Sequence, residues 1–507
     1  MSSIGLSAAE VLRSGDVPAS NGRVAVIDIG SNSVRFVVYD QLSRTPVTMH
    51  NEKTICSIGR NVANTGLLYK EGCDLALASL ARYRLLAERL GVALRIAVAT
   101  AAARDALNGP QFVRDAEKAW GAPIRILSGE EEARLAGMGV LAALPAASGV
   151  VGDLGGGSLD MITLKDGKPG RAVSLPFGPL RLADMAKGDI EKARKIVSTR
   201  LAEMASYWSA SEKSFYAVGG IWRALDRVDM ELETYPLHVL QHYTIPQARA
   251  LQLCDLISRQ GRKSLERLTV ISKRRAVMLP FGAVVLQGVL AATRFKEIVV
   301  CAGGLREGLI YDRLTVEERA KDPLIEYVAG VNARLSRTPE HASEAFVWTG
   351  PLFPDETPAL RRLRQAAFYL SDIGWRRHPD YRAPGSYTEV MNMSYGGVDH
   401  RGRAFLATAI FHRYSGYTEV PTHFEATGLL DRQEELLALR IGLAARLAFD
   451  LSGTAPGELE NYKLKLLPGR LVLEVPADHA MVVDEAVQRR LKNLAAAMEC
   501  KGEIQAI

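Results

Sequence analysis

The chain has 507 residues, more than one ordinary hydrophobic core accommodates, so about three domains of roughly 100 to 200 residues each are expected. Apolar residues make up 48% and charged residues 24%, the proportions of a soluble globular protein rather than a disordered or fibrous one. The formal net charge of +6, from 63 Lys plus Arg against 57 Asp plus Glu, is too mild to call for a nucleic acid and suits an anionic substrate wherever basic residues cluster.

Residues 1–22 have no charged leader followed by an apolar core and read as a loose extension, not a secretion signal. Cys56, Cys73, Cys254, Cys301 and Cys500 are odd in number, scattered and free of CxxC pairs, which fits reduced thiols and predicts a cytoplasmic protein.

The stretch VAVIDIGSNSVRFVVY (24–39) reads as strand, tight polar turn, strand, and it recurs as VVGDLGGGSLDMITL (150–164). Asp28 matches Asp153, Gly30 matches Gly155 and Ser33 matches Ser158, which suggests a pseudo-duplicated sheet protein. Glycine permits positive φ and close approach of a ligand, and consecutive N–H groups in such a turn form an anion nest. Gly30, Ser31, Asn32 and Ser33 in one copy, and Gly155, Gly156, Gly157 and Ser158 in the other, are therefore candidate phosphate-binding residues. An aspartate beside such a nest repels phosphate unless a cation lies between them, so Asp28 and Asp153 are read as orienting water or magnesium.

After the first hairpin, 71–90 has helical spacing and Gly91 stops it, 94–99 is a central strand, and TAAARDALN (100–108) is a helix with Thr100 at its N-cap. A strand at 124–127 precedes the SGEEEARLAGMGVLAAL helix. Beyond the second hairpin, 172–175 adds a third strand, 179–210 is largely helical, and 215–218 and 298–301 each run through Gly-Gly into a helix. This alternation predicts a mostly parallel or mixed sheet covered by helices. The apolar run 276–292 is shorter than the roughly 20 residues of a spanning helix and contains Pro280, Gly282 and Gln287, so a buried core helix is expected and no membrane partner. From about residue 322 only helices are expected, at 324–335, 339–348, 358–373, 403–415 and 433–449. A hairpin (462–467 and 470–475), a helix (482–498) and a strand (503–507) close the chain.

DIGSNSVR, TAAARDALN, SGEEEARL, GDLGGGS, AVGGIWRAL, RAVMLPFGAVVL and GGLREGL together resemble the exopolyphosphatase/guanosine pentaphosphate phosphatase family of the actin, Hsp70 and sugar-kinase superfamily. They lie in the family's order and approximate spacing. The resemblance implies an α/β fold of two ribonuclease-H-like (actin-like ATPase) lobes around a cleft, 23–145 and 146–318. An all-α HD-related domain (319–455) and a small α+β C-terminal piece (456–507) would follow. It implies removal of the terminal phosphate of inorganic polyphosphate, or alternatively of the 5′ γ-phosphate of guanosine pentaphosphate (pppGpp), assisted by Mg2+ or Mn2+, in a homodimer. An ATP-dependent kinase of the same superfamily is a more distant alternative.

Hydrolysis of a phosphoanhydride needs an in-line water, a group to orient or deprotonate it, and positive charge on the phosphoryl oxygens. Matching the family motif places the catalytic glutamate at Glu132, with Glu131 the adjacent candidate. Arg104, one helical turn beyond Thr100, is the candidate cation. Asp160 stands where the family usually has a metal-holding glutamate, and its shorter side chain favours a bridging water; with Asp28 and Asp153 it completes the metal candidates. Ser371 before Asp372 replaces the His-Asp pair of metal-binding HD domains, and His378, His400 and His412 are scattered, so no second metal is expected. The basic runs 273–275, 361–364 and 376–378 are candidates for a polyanion channel between the lobes and the helical region.

Overall fold

A computed structural model describes residues 22–204, 213–293, 295–416, 420 and 428–507. The expected loose extension, up to residue 21, and the end of the expected 179–210 helix lie outside the described residues. The chain divides into two compact units, Met1–Lys321 and Asp322–Ile507.

In the first unit, strands β1 (Arg23–Ile29), β2 (Val34–Tyr39), β3 (Thr48–Thr54), β4 (Val92–Ala99) and β5 (Arg125–Ile126) form a sheet in the order β3-β2-β1-β4-β5. β1, β2 and β3 are an antiparallel meander, and β4 and β5 run parallel to β1. A second sheet contains β6 (Gly149–Leu154), β7 (Leu159–Lys165), β8 (Lys168–Leu175), β9 (Ser214–Val218), β10 (Thr244–Pro246) and β11 (Glu297–Val300), in the order β10-β11-β9-β6-β7-β8. Apart from β10 on its edge, it repeats the first sheet: meander β8-β7-β6, then β9 and β11 parallel to β6. The duplication seen in two turns thus extends to the topology of two lobes.

Alternation along β1 and β2 sends side chains to opposite faces of the first sheet. On one face Phe36, fully buried, stacks on Tyr83 at 5.0 Å and meets Trp120 edge-on at 5.9 Å. These rings come from helices Lys70–Arg89 and Gly109–Trp120. On the other face Val26 and Val37 join Leu135, Val151, Ile162 and Leu309 in a core shared by both lobes. Helices Gly129–Ala143 and Leu305–Tyr311 lie in that shared layer, and their backbones touch. A Cβ at Gly308 would stand 1.8 Å from the Leu135 carbonyl oxygen, and one at Gly139 would stand 2.1 Å from that of Gly304. The helix that carries Glu132 is fixed between the sheets by this glycine contact. The apolar run becomes helix Lys273–Ala292, packed in the core of the second lobe with Leu279, Val285 and Val289 fully buried.

Two sequence expectations change. TAAARDALN forms a single helical turn, Ala101–Asp105, and a new helix starts at Gly109. In the second unit the expected helices occur as Pro323–Leu335, Pro339–Trp348, Pro358–Leu370, His400–Ser415 and Arg432–Ser452, but a sixth, Pro379–Asn392, was not expected. Pro384 and Gly385 disguise it, and burial of Tyr387, Val390 and Met391 outweighs their poor helix propensity. The tail matches its reading: β12 (Lys463–Leu467) and β13 (Arg470–Val475) pair antiparallel, and β14 (Lys501–Ala506) joins β13 in parallel after helix Glu485–Ala497.

Candidate active site

In each lobe the polar turn follows the first strand of the meander, beside the carboxyl ends of the parallel strands. Such ends are where open α/β sheets bind ligands. The two turns close identically: the Gly30 N–H donates to the Ser33 carbonyl and the Gly155 N–H to the Ser158 carbonyl, both at 3.0 Å. They also face each other. A Cβ on Gly157 would lie 3.0 Å from Ser31 Oγ, and one on Gly156 would lie 3.6 Å from the Cβ atoms of Ser31 and Asn32. Ser31, Ala101, Ala102, Asp105, Gly156 and Gly157 border one small cavity of about 30 Å3 between the turns.

The reason for glycine differs from the one the sequence suggested. Gly30, Gly155, Gly156 and Gly157 all have negative φ; at Gly157 the approach of Ser31 Oγ, 3.0 Å from where a Cβ would stand, and not a left-handed backbone, is what disfavours a side chain. The N–H groups of Ser31, Asn32, Gly156 and Gly157 donate to no acceptor among the described residues, so they remain available to an anion. The hydroxyl of Ser158 is not: it donates to Asp160 Oδ2 at 2.8 Å, and Ser158 is 3% exposed. The Asn32 amide oxygen accepts from Ser57 Oγ at 3.2 Å, which anchors the first turn to the segment after β3.

Helix Gly129–Ala143 brings the glutamates. Ser128 caps it and Glu131 completes a capping box, its carboxylate accepting from the Ser128 N–H at 2.9 Å while its own N–H donates to Ser128 Oγ. Glu131, the adjacent catalytic candidate, is therefore occupied in holding the helix start, a role that the S-x-x-E spacing already signalled. Glu130 is exposed. Glu132 alone of the three turns inward; it is 8% exposed and lies 3.3 Å from Arg104 Nη1. Arg104 also donates to the Leu127 carbonyl and to Asp105, and Asp105 in turn pairs with Arg181 of the second lobe at 2.8 Å. Arg104 is thus presented beside Glu132 by a chain of bonds that reaches across both lobes.

The carboxylates crowd one another. Asp153 and Asp160 are directly opposed across β6 and β7, so their side chains share a face. Burial pushes Asp153 up to about 6, opposed mainly by Arg223, and pushes Asp160 up to about 7 against the hydroxyls of Ser174 and Ser158. Burial, with Asp160 as the next contributor, pushes Glu132 well above the usual carboxylate range. Asp28 pairs with Arg306 at 3.2 Å. Among the described residues no three His, Cys, Asp or Glu side chains form a ready-made metal cage. Asp160 has both oxygens bound by serine hydroxyls, so direct ligation through it would cost those bonds. A magnesium ion typically takes only one or two carboxylates, with waters and substrate phosphates completing its shell. Asp28 and Asp153, at the ends of β1 and β6, fit that demand, and a divalent cation would offset the cost of burying Asp153 as a charged group.

Sequence reading missed a group of arginines. Arg223 and Arg306 follow the two Gly-Gly turns and, with Arg35, Arg227 and Arg275, line a cavity of about 300 Å3. Arg35 is the cross-strand partner of Asp28, which joins this cavity to the carboxylates. The recurring GGIWR and GGLR sequences were the available signal. Of the basic runs, only 273–275 contributes here, through Arg275. Arg362 pairs with Asp322, Arg361 and Arg364 pair with Glu356, Arg377 pairs with Glu389, and His378 caps a helix. The channel expected from 361–364 and 376–378 therefore loses most of its charge to local partners. His412 is also spoken for: its Nδ1 bonds the Gly416 carbonyl and burial pushes its pKa down to about 4.

The Ppx/GppA phosphatase family model matches residues 37–317, and a model described as exopolyphosphatase, C-terminal, matches residues 326–504. The chain belongs to the Ppx/GppA phosphatase family. It is 28% identical over 307 residues to exopolyphosphatase 1 of Mycobacterium tuberculosis, covering 58% of this chain and 89% of that protein. The Mycobacterium leprae exopolyphosphatase 1 is 29% identical over 313 residues, covering 58% and 90%. Among solved structures, the Aquifex aeolicus Ppx/GppA family member superposes with a TM-score of 0.51 at 26% identity, over 58% of this chain and 97% of its own. An exopolyphosphatase from Cytophaga hutchinsonii shares the fold, with a TM-score of 0.52 at 23% identity over 57% and 96%. The two lobes thus have the actin-like architecture of Ppx/GppA proteins.

Proposed function

We propose that this chain is an exopolyphosphatase, which hydrolyses the terminal phosphoanhydride of inorganic polyphosphate and releases orthophosphate. One observation carries the reading: two turns closed by the same Gly-to-Ser bond meet at Ser31 and Gly157, with the Glu132–Arg104 pair beside them. Free N–H groups on both turns would hold the terminal phosphate from two sides. Arg104 would meet the negative charge that develops on the phosphoryl oxygens. Glu132 would orient the attacking water and accept its proton; its raised pKa brings it nearer the range of an effective general base.

Family kinship implies a divalent cation, Mg2+ or Mn2+. Asp153 and Asp28 would hold it, with Asp160 reaching it through water, and it would supply charge neutralisation between carboxylates and phosphate. The basic cavity of Arg35, Arg223, Arg227, Arg275 and Arg306 would receive phosphates further along the chain. The second unit, in the same reading, is an HD-related domain in which Asp372, the aspartate matched to the His-Asp pair, is bound by both Nε and Nη2 of Arg337, at 3.0 and 2.6 Å. That pair occupies the carboxylate a metal would need.

Magnesium-dependent phosphate release from long polyphosphate, pppGpp and ATP tests the proposal. Polyphosphate is expected to be the best substrate. Release from pppGpp alone would move the assignment to a guanosine pentaphosphate phosphohydrolase, and transfer to an acceptor with ADP formation would make the chain a kinase.

A further inference from the structure

The second unit contains a cavity of about 590 Å3, within the size range of small-molecule sites, whose lining includes Arg337, Arg382, Arg413, Arg446 and Arg490. Two of these have carboxylate partners: Arg337 grips Asp372, and Arg490 Nε donates to Asp450 at 2.7 Å. The other three have no ion-pair partner among the described residues. Arg382 donates to the Trp375 and Arg377 carbonyls, and Arg446 donates to those of Arg413 and Tyr414. Arg413 is 7% exposed and is held over aromatic rings, 4.5 Å from the centroid of Phe449 and 5.1 Å from that of Tyr414. The Nε atoms of all three are buried without a hydrogen-bond partner.

Burying guanidinium groups without counter-charge is costly, and the strain registers in their ionisation. Burial pushes Arg446 down to about 10, with repulsion from Arg490 and Arg413 adding to it, and burial pushes Arg413 down as well. Asp372 and Asp450 are near but already engaged, and Asp484, also in the lining, caps helix Glu485–Ala497 through the Val487 N–H. The rings here support arginines instead of offering free stacking faces: Trp375 has Arg337 and Arg376 over it, at 5.8 and 4.9 Å. What the cavity presents to a ligand is therefore forked positive charge, which matches phosphate oxygens. Its volume exceeds what a single orthophosphate fills.

We propose that this cavity is a second anion site, separate from the Glu132 site, for a compact molecule bearing two or three linked phosphates, either free or carried on a nucleoside. Calorimetric titration of the full chain carrying Glu132→Gln, which keeps the ligand intact, tests it with inorganic triphosphate and, in a parallel arm, ATP. Ala486→Glu places a carboxylate on the lining in the first turn of a helix, where the dipole tolerates it. Arg382→Gln removes one guanidinium from a half-buried position. Each variant is expected to weaken one binding event at least tenfold while any event at the cleft stays unchanged. Equal binding of triphosphate and ATP would identify a site that reads phosphates alone, and binding of ATP only would identify a nucleotide site. If neither ligand shows an event that responds to Ala486→Glu or Arg382→Gln, the proposal is overturned. Because the readout is binding in a second cavity, it stands or falls separately from the assignment of the cleft.

Discussion

The cleft of the first unit gathers buried carboxylates beside arginines, whereas the cavity of the second gathers guanidinium groups of which three have no ion-pair partner among the described residues. In the cleft, burial raises the pKa values of Glu132, Asp153 and Asp160, Asp160 and Asp153 add to the rise at Glu132, and among the described residues Arg104 makes the one direct ion pair with these three, to Glu132. In the cavity, Arg382, Arg413 and Arg446 have no ion-pair partner among the described residues, and the Nε of each is buried without a hydrogen-bond partner. By contrast, Arg364, 1% exposed, is matched locally by Glu356. Buried charges ordinarily come in pairs because an unpaired one is expensive. Where a fold tolerates the excess, the missing counter-charge points to a ligand: a cation and phosphates at the cleft, an anion in the cavity.

The largest expected effect separates the roles of two neighbouring glutamates. Glu132→Gln should lower phosphate release by about a hundred- to ten-thousand-fold, the usual worth of a positioned acid or base, while leaving binding of polyphosphate in place. Glu131→Gln should preserve turnover within a few fold and lose about 1 kcal/mol of stability or less, as a weakened cap does; steady-state kinetics and thermal melting of both variants check this.

Next comes the contact between helices. Gly308→Ala would force a methyl group onto the Leu135 carbonyl, 1.8 Å away, and should cost roughly 1–3 kcal/mol as other overpacked sites do. Denaturant titration reads that loss, and a fall in kcat should accompany it because the helix bearing Glu132 must shift. Unchanged stability would show that the two helices are not pinned there.

The pH dependence follows from raised carboxylates. Asp153 and Asp160 hold protons in the folded chain up to about 6 and 7, whereas in the unfolded chain they release them near 4. The folded state therefore binds more protons between about pH 4 and 7, and stability without metal should fall as pH rises through that window. Asp160→Asn should flatten the fall. Activity should move the opposite way, rising over the same range as the carboxylates ionise, and magnesium should shift that rise to lower pH. A stability profile that climbs from pH 5 to 8 would contradict the raised values.

The smallest effects distinguish unpaired from paired arginines. Arg275→Gln, in the cavity next to Asp28, should raise KM for long polyphosphate several-fold, and should weaken its salt dependence, because one phosphate contact is lost. Arg361→Gln should change KM little, since that exposed side chain already pairs with Glu356. Kinetics at two salt concentrations with long and short chains make the comparison.

The sequence by itself determined a good deal. The paired DIGSNS and GDLGGGS turns, the alternation of strands and helices and the final hairpin around Gly469 were all legible, because local patterns of polarity and turn residues decide them, and the family motifs singled out Glu132 and Arg104 as candidates. The tertiary structure decided the rest. Only packing shows that Glu131 is tied to Ser128 while Glu132 turns inward, that Ser158 spends its hydroxyl on Asp160, and that Arg223 and Arg306 converge from turns 84 or so residues apart, a closure that no local rule specifies. The unexpected helix Pro379–Asn392 and the arginine cavity have the same origin: contacts between residues distant in sequence set burial, and burial decides which polar groups are satisfied and which are left to a ligand.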